Sequence, residues 1–107
     1  MRKKPWSGLA VKHVFVFCKR SCLRKYEKLA TLADIQPGDR VLEIGCGWGG
    51  FAEYAASKYG AHVTGITISQ AQHEYATKRL KDAGLAEQAD IQLKDYRDIT
   101  QTFDKIV

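Results

Sequence analysis

The chain has 107 residues, of which 45% are hydrophobic and 27% are charged, and its formal net charge is +5. This length suits one domain, and the composition is that of a globular protein, which excludes a disordered tail, a collagen and a coiled coil. Three cysteines are too few for a disulfide scaffold, so a reducing, cytoplasmic setting is expected. No apolar run approaches the ~20 residues that span a bilayer.

The positive charge is concentrated at the start of the chain. Residues 1–28 contain nine basic residues and one acidic residue, whereas residues 29–107 contain eight basic and eleven acidic residues. A signal peptide is disfavoured because Lys12 and His13 interrupt the apolar run, which needs about 7–15 residues. Residues 1–22 could contact an anionic membrane surface, pack on the domain as an ordinary extension, or be foreign to it. The acidic remainder gives no indication of a nucleic-acid surface.

Two cysteines near the start invite a metal-site hypothesis. Cys18 and Cys22 are four residues apart and would share one face of a helix. His13 is the only nearby further ligand, and a zinc site needs four ligands, or three and a water. We therefore predict no metal site and interpret the two cysteines as small buried side chains.

The first half of the chain alternates between helix and strand. A helix is predicted over residues 23–33, where apolar side chains recur at helical spacing. This stripe consists of Tyr26, Leu29, Ala30 and Ala33. A Pro-Gly turn at 36–39 leads into a buried strand over 40–44, and an alanine-rich helix follows over 51–59. Gly60 is placed to end that helix in the left-handed conformation.

The second half continues the same alternation. A strand is predicted over 62–66, and Ser69 and Gln72 form a capping-box pattern that begins the next helix. The apolar stripe of this helix consists of Gln72, Ala76, Leu80 and Ala83. A third strand is predicted over 90–94, and residues 103–107 begin a fourth. Strands that alternate with helices predict a parallel sheet with right-handed crossovers.

Four of the six residues from 45 to 50 are glycine, between a predicted strand and a predicted helix. Glycine permits a tight turn and allows a ligand to lie on the backbone at the carboxyl end of a parallel sheet. The following helix N-terminus favours a negative group such as a carboxylate or phosphate. Helix–strand packing alone is the other explanation, but four glycines together favour a ligand site.

Two ligand classes fit the glycine pattern. Gly45, Gly47 and Gly50 match the dinucleotide fingerprint, whereas Gly45, Gly47 and Gly49 match the loop of S-adenosylmethionine (SAM)-dependent methyltransferases. A dinucleotide site predicts an acidic residue about 20 residues further on, and the second strand ends without one. Glu43 precedes the loop instead, where it could hold a cationic group such as the ammonium of SAM.

Residues 41–50 read Val-Leu-Glu-Ile-Gly-Cys-Gly-Trp-Gly-Gly and resemble motif I of the cyclopropane-fatty-acyl-phospholipid synthases. These are SAM-dependent enzymes that include the mycolic acid cyclopropane synthases. Residues 65–72, 95–98 and 103–107 look like the family's next motifs, in the same order. The resemblance covers about 26–107.

The resemblance implies a fold and a division of the chain. The fold is α/β, the Rossmann-like class I SAM-dependent methyltransferase fold, truncated near the start of strand four. Residues 1–22 would be a basic, aromatic extension of uncertain origin, and residues 23–107 the N-terminal SAM-binding half of the domain.

The resemblance also implies roles in cofactor binding. The methionine part of SAM would be held by Glu43, Ile44, Gly45, Cys46, Gly47, Trp48 and Gly49. The ribose side would be met by Thr67, Ile68, Ser69 and Gln72, and the adenine by Asp95 and Tyr96. Simpler roles stay open: Ser69 and Gln72 as a cap, Trp48 packing the loop onto the first helix, Tyr96 in the core. Cys46 has no nearby base in sequence and is not interpreted as a nucleophile.

The family's reaction adds the SAM methyl carbon across a cis double bond of a phospholipid acyl chain, and a bound bicarbonate removes a proton. The family's bicarbonate and acyl-chain residues come after the segment that Val107 ends, so no catalytic residue is assigned here. The chain is expected to be a fragment that binds SAM weakly and is inactive alone, cytoplasmic or peripheral to the inner face of the membrane. The alternatives are a non-catalytic SAM-binding module, another small-molecule or lipid methyltransferase, and a NAD-binding Rossmann fragment.

Overall fold

Residues 22–107 are described by the computed structural model, and they alternate between helix and strand as the sequence predicts. Helix α1 covers residues 22–32. The elements after it are β1 (Arg40–Ile44), α2 (Gly50–Tyr59), β2 (His62–Thr67), α3 (Gln70–Asp82), β3 (Ala89–Leu93), a short 3₁₀ helix η1 (Tyr96–Asp98) and β4 (Lys105–Ile106). The third strand begins one residue earlier than predicted, and the starts of the other strands agree with the prediction to within two residues.

The four strands form one parallel sheet in the order β3-β2-β1-β4. Val41, Val63 and Ala89 lie side by side across three of the strands. Strand order reverses between β1 and β4, and open α/β sheets bind ligands outside the carboxyl ends of the strands at such a point. The glycine loop follows β1 and lies at that position.

Small side chains build the contact between the helices and the sheet. The alanines of α2 are almost fully buried, and Ala76 and Leu80 are the buried residues of α3. They pack with strand residues into one core, whose α2 and strand members include Phe51, Ala52, Ala55, Ala56, Val41, Val63 and Ile91. Alanine has no side chain beyond Cβ, which lets the α2 backbone approach the sheet closely.

Two stripe positions differ from the sequence expectation. Leu29 is 43% exposed, because α1 turns Tyr26 and Ala30 towards the core and leaves Leu29 at the margin of that face. Ala83 is exposed because it caps α3 after its last helical residue, where the helix has already passed the end of the sheet contact. The left-handed Gly60 is confirmed, with φ of 68° and its N–H donated to the Ala56 carbonyl at 3.2 Å.

Candidate functional site

The glycine loop is fixed to the neighbouring strand by its backbone. The amides of Gly45 and Cys46 both donate hydrogen bonds to the Ile66 carbonyl of β2, at 3.0 and 2.9 Å. Gly45 and Gly47 adopt φ of 75° and 57°, a left-handed conformation that costs other residues free energy. The loop is therefore a defined turn at the carboxyl edge of the sheet.

The four glycines have two different surroundings. A β-carbon added to Gly45 or Gly47 would meet no atom within 4 Å. At Gly49 it would lie 2.9 Å from Ala76 Cβ, and at Gly50 it would overlap the Tyr26 ring. The first pair leaves open space above the backbone, whereas the second pair permits α2 to pack against α3 and α1. Packing therefore accounts for Gly49 and Gly50, whereas Gly45 and Gly47 leave room beside the backbone.

Glu43, near the carboxyl end of β1, is a half-buried carboxyl with an unpartnered oxygen. Its Oε1 is buried and has no hydrogen-bond partner. Burial raises the pKa of Glu43 to about 8, because a desolvated carboxylate is disfavoured. A ligand ammonium would supply the missing donor and the opposite charge.

An open cavity of about 990 Å³ lies between the loop and the helices α1, α2 and α3. Four of the predicted binding residues line it: Glu43, Cys46, Gly47 and Trp48. Four of its other lining residues were missed as site residues by the sequence analysis: Tyr26, Phe51, Tyr75 and Arg79. No local motif marks them: Phe51 directly follows the loop as a core residue of α2, and Tyr26, Tyr75 and Arg79 come from α1 and α3.

Trp48 and Cys46 have distinct roles in the loop. The Trp48 ring is 52% exposed and meets Tyr75 of α3 edge to face, with ring centroids 5.3 Å apart. Its aromatic contact is thus with α3. Burial, followed by the charge of Glu43, raises the pKa of the Cys46 thiol to about 11. The thiol is therefore protonated at neutral pH and is a poor nucleophile.

Three predicted residues at the end of β2 form one hydrogen-bonded turn. The Thr67 hydroxyl donates to Gln72 Oε1 at 2.9 Å and accepts the Ser69 N–H at 3.1 Å. Ser69 Oγ accepts the Gln72 N–H at 3.3 Å, as a cap does. The reciprocal half of the predicted capping box is wrong, because the Gln72 side chain turns to Thr67. The turn leaves Ile68 82% exposed at the sheet edge.

The end of β3 carries the predicted adenine residues. Arg97 donates to both carboxylate oxygens of Asp95, from Nε at 3.1 Å and Nη2 at 2.9 Å. These side-chain bonds, with a backbone N–H from Arg97, lower the pKa of Asp95 to about 2. Tyr96 is 61% exposed, so it is not a core aromatic.

The parallel sheet thus brings the predicted residues to one edge, although only some share the cavity. Ile44 ends β1, and Gly45 and Gly49 lie in the loop, but none of the three lines the cavity. The others lie at or after the ends of β2 and β3: Thr67, Ile68, Ser69, Gln72, Asp95 and Tyr96.

Neither a metal site nor a membrane-spanning helix is found within residues 22–107. No group of three or more His, Cys, Asp or Glu there is placed to hold a metal ion. Cys22 is half-buried, while Cys18 and His13 lie outside the described residues. No helix in that part of the chain is long and apolar enough to cross a bilayer.

Comparison with known proteins identifies relatives of this loop and sheet. The chain is 44% identical over 85 residues to a probable fatty acid methyltransferase of Pseudomonas putida, covering 78% of this chain and 22% of the relative. It is 43% identical over 83 residues to the cyclopropane-fatty-acyl-phospholipid synthase of Escherichia coli K12, covering 78% and 21%. The chain therefore spans about a fifth of the length of these relatives.

The fold is that of class I SAM-dependent methyltransferases. A geranyl diphosphate methyltransferase solved in complex with SAM superposes with a TM-score of 0.76 at 26% identity, covering 91% of this chain and 40% of that one. The model of the mycolic acid cyclopropane synthetase family matches residues 18–107. The glycine loop, the sheet order and this match agree, and the chain belongs to the mycolic acid cyclopropane synthetase family.

Proposed function

We propose that this chain is the SAM-binding portion of an enzyme that transfers the SAM methyl carbon to the double bond of an unsaturated phospholipid acyl chain. The observation that carries the proposal is the loop itself. Gly45 and Gly47 leave open space above a fixed turn, beside a Glu43 carboxyl whose buried Oε1 has no hydrogen-bond partner. These residues fit an amino acid part that lies along the loop backbone and brings an ammonium group to Glu43.

Each element of the chain would contribute a different part of the binding. Glu43 would hold the ammonium, and the loop backbone at Gly45 and Gly47 would contact the methionine part. The exposed Ile68 and Tyr96 would offer apolar surface to the adenine at the ends of β2 and β3. When bound, SAM supplies the electrophilic methyl carbon through its sulfonium. The work of this chain is to orient that group and to exclude water from it.

The lipid substrate is supported by the relatives rather than by a feature of residues 22–107. One relative is named a fatty acid methyltransferase, and another a cyclopropane-fatty-acyl-phospholipid synthase. Bicarbonate, an expectation from the resemblance, has no assigned residue in this chain. The chain alone would therefore bind cofactor without completing the reaction.

Peripheral contact with an anionic membrane is part of this proposal. Arg24, Lys25 and Lys28 are exposed on α1 and form no ion pair within the described residues, and Leu32 beside them is 74% exposed. Basic side chains around an exposed apolar one suit an anionic lipid surface. Co-sedimentation with vesicles containing anionic phospholipid should fall for Lys28→Glu, and equal binding to RNA would count against a lipid surface.

A matched pair of glycine variants tests SAM binding. Gly47→Ala and Gly84→Ala each place a side chain at positive φ in open space, but only position 47 lies in the loop. We expect SAM to shift the loop amide signals of the full chain in NMR spectra. Gly47→Ala should weaken binding at least about tenfold and Gly84→Ala should not, since only the former fills the ligand space. No shift at any SAM concentration, or equal loss in both variants, would refute the cofactor proposal.

The substrate class needs a separate assay. Residues 22–107 can replace the matching segment of the Escherichia coli synthase, and the chimera is tested with labelled SAM and vesicles of cis-unsaturated phospholipid. We expect label transfer by the chimera and none by its Gly47→Ala form. A folded chimera that binds SAM without transferring label would count against this substrate class. Transfer by the isolated chain would overturn its assignment as the cofactor-binding portion alone.

A further inference from the structure

Among the described residues, the Glu43 carboxyl has no ion-pair partner in the cavity that would favour its ionised form. Its Oε1 is buried without a hydrogen bond, and no lysine or arginine of the described residues forms an ion pair with it. Removing a carboxylate from water without a donor or a counter-charge is unfavourable. These surroundings favour the protonated carboxyl in the free protein.

The other titratable groups of the cavity do not change the preference of Glu43 for its protonated form. They come from α1, the loop, α2 and α3, and they are Cys22, Tyr26, Cys46, Glu53, Tyr54, Tyr75 and Arg79. Arg79 is the only cation among these lining residues, and its Nη2 lies 3.0 Å from Glu53 Oε1. Burial raises the pKa of both Tyr26 and Cys46, so these two neighbours stay neutral. Among the described residues that line the cavity, no unpaired cation is available to Glu43, so a ligand ammonium would supply the opposite charge.

We propose that Glu43 holds a proton in the free protein and gives it to solvent when the ammonium of SAM enters the cavity, so that binding releases one proton. This inference rests on the proposed function. The carboxyl O–H bond breaks, the proton passes to the buffer, and the carboxylate pairs with the ammonium. Cofactor affinity is then controlled by pH through this residue.

The pH range follows from the properties of the group. Burial raises the pKa of Glu43 to about 8, so the carboxyl is largely protonated at neutral pH until a cation arrives. SAM binding to the neutral carboxyl must first remove its proton. Affinity should therefore rise with pH by up to about tenfold per unit below 8, the range in which the ligand amine stays charged.

The direct test observes the carboxyl carbon of Glu43. The full chain, labelled with ¹³C-glutamate, is titrated from pH 5 to 9 by NMR, and Glu43→Gln identifies the signal. We expect a midpoint near pH 8 without ligand and a much lower one with saturating SAM. A midpoint near 4.5 in the free chain overturns the proposal, whatever the behaviour of SAM.

Two analogues locate the effect at the ammonium. S-adenosylhomocysteine keeps the ammonium without the sulfonium and should lower the Glu43 midpoint as SAM does. 5′-Methylthioadenosine lacks the amino acid part and should leave the midpoint unchanged while still shifting signals at Tyr96. A shift caused equally by all three ligands overturns the proposal, because the ammonium would then not be its cause.

Affinity provides an independent readout. SAM dissociation constants from the loop amide shifts should fall between pH 6 and 8 in the wild-type chain and in Glu87→Gln, an exposed control. In Glu43→Gln they should be weaker at pH 8 and independent of pH. SAM binding with a flat pH profile in the wild type refutes this inference and leaves the proposed function standing. No SAM binding at any pH refutes both.

Discussion

Gly49 in the loop faces Ala76 of α3 so closely that a β-carbon at position 49 would lie 2.9 Å from the Ala76 β-carbon. This contact joins the start of α2 to the middle of α3, and it needs both residues to be small. It also places a packing constraint inside the segment that we propose to bind the cofactor. Loop sequence and helix packing are therefore coupled at this point.

Substituting Gly49→Ala should lower the free energy of unfolding by about 2–4 kcal/mol, because alanine would have to adopt a left-handed φ of 87° and would overlap Ala76. Gly84→Ala should cost only about 1 kcal/mol, since its φ of 75° is similar but its surroundings are open. Comparing the urea denaturation of the two variants separates the cost of the left-handed φ from the cost of the overlap with Ala76. The double variant Gly49→Ala/Ala76→Gly should recover part of the loss. Strictly additive losses would contradict the contact.

Stability should depend on pH through Glu43. The folded chain keeps the carboxyl proton up to about pH 8, whereas the unfolded chain loses it near 4.5. Between these values the folded state binds more protons, so the free energy of unfolding decreases as the pH rises, by about 1 kcal/mol per unit. Glu43→Gln should remove this slope and Glu87→Gln should retain it. Denaturation between pH 5 and 8.5 measures the slope, and its persistence in Glu43→Gln would refute the assignment.

The Thr67 hydroxyl should stabilise the turn after β2. Thr67 is 5% exposed, and its hydroxyl joins the Ser69 amide to the Gln72 side chain. Thr67→Val leaves both groups without that partner and should cost about 1–3 kcal/mol. Thr31→Val removes an exposed hydroxyl bound to the Glu27 carbonyl and should cost less than about 0.5 kcal/mol. Hydrogen exchange at the Ser69 amide should accelerate only in the first variant, and equal effects would contradict the network.

The ion pair between Arg79 and Glu53 should couple α2 to α3. Two guanidinium nitrogens, Nε at 3.1 Å and Nη2 at 3.0 Å, bind Glu53 Oε1, and both side chains are 33% exposed. A double-mutant cycle to alanine should give a coupling of about 0.5–1 kcal/mol. The Lys78–Asp82 pair is 77% and 62% exposed and should give at most about 0.5 kcal/mol, lost in high salt. A larger coupling for the exposed pair would contradict this ranking.

The order and type of the elements were predictable from the sequence because local signals agree. The Pro-Gly turn before β1, the alanines of α2 and the glycine at position 60 each restrict the backbone within a few residues. The position of the ligand edge follows once the strands are parallel, since all carboxyl ends then meet at one side.

The surroundings of individual side chains were less predictable. Nothing near Gly50 in the sequence shows that Tyr26 lies over it, because the two residues belong to different helices. The exposure of Leu29 depends on the direction in which α1 packs, and helical spacing leaves that direction open at the margin of a stripe. The packing role of Gly49 and Gly50 has the same cause, since it depends on neighbours distant in the chain.

The Ile66 carbonyl, which accepts the amides of both Gly45 and Cys46, has a consequence for binding kinetics. It fixes the turn without a ligand, so under the proposed function little conformational entropy would be lost at the loop on association. Substitutions in the loop should then alter the dissociation rate far more than the association rate. The lifetime of the complex, rather than the frequency of productive encounters, would be the quantity that this turn controls.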